Sequence, residues 1–224
     1  MEIPERLTNE TARDYAFRVL KMNIVSLQLE PGTMISENEM AMELGLSRTP
    51  VREAMFDLTK TSIIETYPQR GSYVALIDTK MVEESRFLRR VLDTAVIEAA
   101  CDNATEDDIK ILEDNVQLQE FYLDKGNAEK IYELDNEFHK QIYTAAKKDV
   151  IYEMSSTLMI HFDRVRTLSV ETVKDLKVVN DHRAMLEAIK DRDKEKAVFL
   201  VNKHLGRYQV DEEVIKKDCP EYFK

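Results

Sequence analysis

Apolar residues recur at helical spacing through most of the 224-residue chain, and the places where that spacing fails mark its divisions. From Thr11 to about Leu27, Tyr15, Val19, Met22 and Ile24 line one stripe, which "EPG" at 30–32 ends. A second apolar set, Met40, Met42 and Leu44, follows Ser36 with Glu39 three residues on, the spacing of a capping box, and predicts a short helix. "GLS" at 45–47 supplies a tight turn, and Ser47 is placed to cap a third helix. Pro50 falls in the first turn of that helix, where its missing N–H costs little, and Val51, Ala54, Met55 and Leu58 continue it.

The period then changes. "IIETY" and "SYVALI" are β-prone runs separated by Pro68, Gln69, Arg70 and Gly71, which reads as a hairpin. From Thr79 almost no Gly or Pro appears until Pro220, and helical spacing returns. "KMVEESRFLRRVLDTAVIEAACD", "TEDDIKILEDNVQLQEFYLDK" capped by Thr105, "NAEKIYELDNEFHKQIYTAA", "VIYEMSSTLMIHFDRVRTLS", "VNDHRAMLEAIKD" and "RDKEKAVFLVNKHLGRYQVDEEV" each predict a helix, with Asn180 and Asp181 as the cap of the fifth. The expected fold is mainly α. A winged helix-turn-helix with a small β-hairpin wing occupies residues 1–78, and an all-α antiparallel helical bundle occupies 79–224.

Composition narrows the function classes. No apolar run approaches the roughly 18 to 20 residues that span a bilayer, and "MEIPERLTNE" lacks a signal-peptide core, so a cytoplasmic protein without membrane contact is expected. Cys101 and Cys219 are far apart and match no CxxC spacing, which argues against a disulfide framework or a cysteine-based zinc site. The formal charge is −11. Residues 1–78 hold 8 Lys and Arg against 12 Asp and Glu, a net of −4, so any nucleic-acid contact must come from a local basic patch.

Such a patch has candidates. The second helix of a helix-turn-helix enters the major groove, and Ser47, Arg48, Thr49 and Arg52 occupy its first turns. Arginine can make a two-pronged contact with guanine, whereas hydroxyls and N-terminal amides suit phosphate. Arg70 and Gly71 at the hairpin tip suit a wing, because glycine permits close backbone approach and arginine can enter a minor groove. Against this stands the commoner role of such arginines, solvating a helix face and pairing with Glu53 or Asp57.

"SENEMAMELGLSRTPVREAMFDL" followed by "YPQRGSYVA" resembles the GntR family of bacterial transcription regulators. The resemblance implies an operator-binding winged helix with Arg48, Thr49 and Arg52 at double-stranded DNA and Gly71 in the wing. One position departs: many relatives carry arginine early in the second helix, where this chain has Asn38.

All four histidines lie beyond the winged helix. Asp135 and His139 are four residues apart and project from one helical face; with His182 and His204 they could supply one carboxylate and three imidazoles. That set suits Zn, Ni, Mn, Co or Fe rather than Mg or Ca, although separate polar residues would give the same spacing. "LDNEFHKQIY", "HRAMLEAIKDRDKEKA" and "KHL" resemble the metal-ligand segments of the FCD effector domain found in the FadR-type branch of the family. This resemblance implies that Asp135, His139, His182 and His204 bind a divalent transition metal. It also places Arg86 where an arginine often faces the effector pocket, with Arg89 and Arg90 competing for the role and Arg164 and Arg166 as weaker candidates. His161 reads as a pocket-lining or core histidine.

The expected function is a homodimeric transcription regulator whose operator affinity is controlled by a small carboxylate effector bound at the metal. A metal-dependent hydrolase or lyase using the same Asp/His site is the main alternative. A helical interaction module is the other.

Overall fold

The computed structural model describes residues 1–172, 177–207 and 214–224. In chain order, α1 (Ala12–Val25), β1 (Met34–Ile35), α2 (Glu37–Leu44), α3 (Arg48–Lys60), β2 (Ile64–Tyr67) and β3 (Gly71–Val74) come first. They are followed by α4 (Thr79–Asn103), α5 (Glu106–Asp124), α6 (Ala128–Ala145), α7 (Asp149–Ser156), α8 (Ile160–Thr172), α9 (Lys177–Lys190) and α10 (Lys194–Gly206).

Local signals account for the first elements. Thr11 and Ser36 adopt extended backbone and accept the N–H of Asp14 and Glu39, satisfying donors that a helix start leaves open. Gly45, at φ 64°, ends α2 in a left-handed conformation that only glycine adopts without strain. α1 and α3 pack through Ala16, Val19 and Leu20 against Val51, Ala54 and Leu58, all fully buried, and Ile63, Ile64 and Val74 close this core. β2 and β3 pair antiparallel from Ile64↔Val74 to Tyr67↔Gly71. β1 adds a short outer strand to β3 through Met34↔Tyr73, giving the order β1-β3-β2. β1 was not anticipated, because two residues carry no readable period.

The chain forms two compact units. The first comprises Met1–Val82 together with Ile160–Thr167 and Lys216–Lys224; the second comprises Glu83–Met159 and Leu168–Ile215. The expected division was contiguous, whereas each of these units draws on separate stretches of the sequence. In the first unit, Thr167 Oγ1 donates to the Val25 carbonyl at 2.9 Å and Arg164 Nη2 to the Ala75 carbonyl at 2.7 Å. The C-terminal residues return there as well, with the Ile77 N–H donating to Tyr222 O at 2.7 Å and the Lys224 N–H to Ile77 O at 3.1 Å.

Among the described residues, the regular elements of the second unit are all helices. Thr105 and Asp108 form a complete capping box at the start of α5. Ile97, Ala100, Leu112, Val116, Phe138, Met185, Ile189 and Val201 are buried in one core.

Two expectations are corrected. "VIYEMSSTLMIHFDRVRTLS" is not one helix: α7 ends at Ser156, and the Leu158 N–H turns back to Ser155 O at 2.9 Å. The Leu158 carbonyl instead accepts the Ser85 hydroxyl at 2.7 Å, so a tertiary partner satisfies the interruption. Asn180 and Asp181 do not cap α9, which begins at Lys177. Val179, His182, Met185 and Leu186 are buried along α9, and Asp181 is drawn inward by an ion pair to Arg207. The last predicted helix extends over residues 208–213, which lie outside the described residues. Among the described residues, no helix is long and apolar enough to cross a membrane.

Candidate nucleic-acid interface and metal centre

α3 presents its first turns to solvent. Ser47 holds the N-cap position with extended backbone, but its side chain makes no capping hydrogen bond, leaving the hydroxyl uncommitted by the helix it precedes. Arg48, Thr49 and Arg52 are exposed, and the amides at this helix start add positive potential. The Arg48 guanidinium lies 3.6 Å from Glu37 on α2, with 67% of its side chain exposed. Asp57, one of the acids expected to neutralise these arginines, is instead engaged by Arg13 and Lys60. At the hairpin tip the Arg70 N–H donates to Tyr67 O at 3.1 Å, Gln69 and Gly71 take φ of 61° and 100°, and the Arg70 side chain is exposed. Asn38 is exposed in the first turn of α2.

The second unit gathers the other candidates. Asp135 and His139 share the inner face of α6 at helical spacing, α9 contributes His182 and α10 contributes His204. All four side chains are buried, and one ligand atom from each lies within 4.8 Å of the others. His139 Nε2 and His204 Nε2 are 3.2 Å apart, and His182 Nε2 lies 3.3 Å from Asp135 Oδ1. Phe138 stacks on the His182 ring with centroids 4.3 Å apart.

The opposite nitrogen of each ring faces an oxygen. His139 Nδ1 lies 3.6 Å from Asp93, His204 Nδ1 lies 3.8 Å from Asp181, and His182 Nδ1 lies 2.7 Å from Gln119 Oε1. Both carboxylates are held by other groups. Asp93 accepts Tyr143 O–H at 2.7 Å and Arg89 Nε at 3.1 Å, while Asp181 accepts Arg207 Nε at 2.5 Å. Burial raises the Asp181 carboxyl, but the nearby His204 ring and the Arg207 hydrogen bonds outweigh it and hold the group below the usual carboxylate range. Burial, reinforced by Arg89 and by the His204 and His182 rings, pushes His139 well below its ordinary value and keeps it neutral.

These features fit a metal chemically. Protons on Nδ1 of His139 and His204 would face carboxylates, leaving two Nε2 lone pairs directed at one another across 3.2 Å. Facing lone pairs repel, and a cation between them converts that repulsion into two bonds. Three imidazoles and one carboxylate form a donor set for Zn, Ni, Co, Mn or Fe.

The expected effector residues are distributed differently. Arg86 is half-buried on α4, Arg90 is exposed, and Arg89 is the buried arginine of this run. His161 belongs to the first unit, where its Nε2 lies 2.8 Å from Thr61 O; it is not a member of the cluster. Arg164 lies in that unit as well, and Arg166 pairs with Asp163 at 2.8 Å. Sequence reasoning missed Asp93, Gln119 and Asp181. A signal existed on α5, where Asn115 and Gln119 occur among Leu112 and Val116 on the buried face.

Residues 13–74 match the family described as bacterial regulatory proteins, gntR family, and residues 84–207 match the FCD domain. The HTH-type transcriptional repressor RspR of Escherichia coli K12 is 29% identical over 208 residues, 92% of this chain and 91% of that protein. The gluconate operon transcriptional repressor of Bacillus subtilis is 28% identical over 201 residues, covering 87% and 82%. Among solved structures, E. coli McbR/YncC superposes with a TM-score of 0.80 at 21% identity, covering 93% of this chain and 98% of that one.

Proposed function

The chain belongs to the GntR family of DNA-binding transcription regulators and carries an FCD domain, and from that premise we propose that a small carboxylate, bound at a metal in the Asp/His cluster, sets its affinity for operator DNA. The observation that carries this reading is the convergence of Asp135, His139, His182 and His204, with every second ring nitrogen backed by an oxygen. Gln119, at hydrogen-bond distance from His182 Nδ1, orients that ring as metal-binding histidines require, while Asp93 and Asp181 stand 3.6 and 3.8 Å behind the other two.

The metal would supply a positive, partly open coordination site for an effector carboxylate. The chain's own residues do the rest. Burial and the Arg89 guanidinium disfavour a second proton on His139, so its lone pair remains available. Asp135 supplies negative charge inside the cluster, and Asp93 and Asp181 orient two rings while Arg89 and Arg207 balance them. Arg89, with Arg86 one turn earlier, supplies positive charge suited to a second anionic group of the effector.

At the DNA, Arg48 and Arg52 would read bases, Ser47 and Thr49 would hold phosphate, and Arg70 and Gly71 would place the wing. Two copies related by a two-fold axis would address a roughly palindromic operator. The effector acts through unequal affinity for DNA-competent and incompetent states, and about 1 to 3 kcal/mol of coupling makes a usable switch.

The deciding experiment measures binding of the purified protein to DNA upstream of its own gene, at two salt concentrations, with and without chelator and a panel of small carboxylic acids. Specific, salt-sensitive binding that one acid alters only when metal is present supports the mechanism. An acid that acts equally after chelation removes the metal from it. Turnover of an acid would revive the hydrolase or lyase reading, which the regulator relatives do not support.

A further inference from the structure

α5 contributes no residue to the Asp/His cluster, yet it carries two buried amides, Asn115 and Gln119, the second of which reaches a cluster histidine. Asn115 Nδ2 donates to the Leu134 carbonyl at 3.1 Å, Gln119 Nε2 donates to Asn115 Oδ1 at 2.7 Å, and His182 Nδ1 lies 2.7 Å from Gln119 Oε1. The chain of contacts has only one polarity. A backbone carbonyl accepts and cannot donate, so the Asn115 group facing it is the NH2 and the group facing Gln119 is the oxygen. Gln119 must therefore present its own NH2 to Asn115, a direction reinforced by its 3.5 Å contact with Leu134 O. Its remaining oxygen faces His182, whose Nδ1 must carry the proton. Reversing the Gln119 amide would bring two oxygens to 2.7 Å in the buried interior.

We infer that Asn115 and Gln119 are positioning residues that lock His182 in the Nδ1–H tautomer before any metal arrives, and so present its Nε2 lone pair to the cluster. The relay starts at Leu134, the residue preceding Asp135, and ends at His182, so it ties α6 to α9 through a helix that supplies no ligand. It differs in kind from the carboxylates behind His139 and His204, because an amide imposes direction without adding charge. The Nε2 lone pair then faces Asp135 Oδ1 at 3.3 Å, an arrangement completed by a cation.

The importance of this relay to metal binding rests on the metal reading above, but the tautomer does not. Full-length protein labelled with 15N at histidine and freed of metal should show a proton on His182 Nδ1, by long-range 1H–15N correlation. A ring without a proton on Nδ1 overturns the relay, and this result needs no variant to fold. Zn2+ affinity is then measured against a competing chromophoric chelator. Gln119→Leu should lose the single tautomer and bind Zn2+ about 10- to 100-fold more weakly, the range for second-layer partners. Wild-type Zn2+ affinity and tautomer in folded Gln119→Leu would overturn the proposal. A wild-type protein with the expected tautomer but no Zn2+ binding would instead sink the metal reading.

Discussion

Replacing Arg48 with Ala should separate DNA binding from stability. The side chain is 67% exposed, and its ion pair to Glu37 spans 3.6 Å between two solvated groups. Exposed pairs of this kind contribute about 0 to 1 kcal/mol, so the folding transition should move little. A bidentate arginine contact to guanine contributes about 1 to 3 kcal/mol of discrimination, which is about 5- to 150-fold in affinity for each half-site. In the two-fold complex proposed above the loss would count twice, and operator affinity should fall by about 2 to 6 kcal/mol. Arg52→Ala should behave alike, since it is exposed and Asp57 is held by Arg13 and Lys60. Fluorescence anisotropy on labelled operator, repeated over a salt series, distinguishes the kinds of contact. Loss of base reading lowers specific binding more than non-specific binding, whereas loss of a phosphate contact weakens both and reduces the salt slope by about 1. Two folded single variants that both bind with wild-type affinity and salt slope would refute the assignment.

Other expectations follow from the second unit and from α8. His139→Ala and His204→Ala should each lower metal content and effector response without unfolding the winged helix; full metal occupancy in the double variant would remove these ligands. Phe138→Ala, at a fully buried position stacked on His182, should destabilise the second unit by about 3 to 5 kcal/mol and broaden the His182 ring signals, and an unchanged melting profile would contradict this. Burial lowers the pKa of His161 from its ordinary 6.5, so the unfolded chain binds a proton that the folded chain refuses. Stability should therefore decline as pH falls from about 7 through the ordinary value and level off below the folded one. Denaturant melts of His161→Gln should show a weaker pH dependence over that window; a dependence identical to wild type would reassign the effect.

What sequence alone determined was whatever neighbouring residues decide among themselves. Thr11, Ser36 and Thr105 satisfy amides three residues on, Gly45 takes the left-handed turn, and Pro68 to Gly71 reverse the chain between β2 and β3. The exposed arginines of α3 followed from the same local spacing, as did the pairing of Asp135 with His139 on one helix face. Tertiary structure decided what depended on distant partners. The Leu158 carbonyl bonds to Ser85 at the break between α7 and α8, and Asp181 turns inward to Arg207 from the middle of α9 rather than capping its start. Only packing could show that Ile160–Thr167 joins the first unit and takes His161 to Thr61, or that Arg89 is the buried arginine of its run. The oxygens behind the three imidazoles were illegible for the same reason: Asp93, Gln119 and Asp181 lie on α4, α5 and α9, and a contact across a bundle leaves no period along the chain.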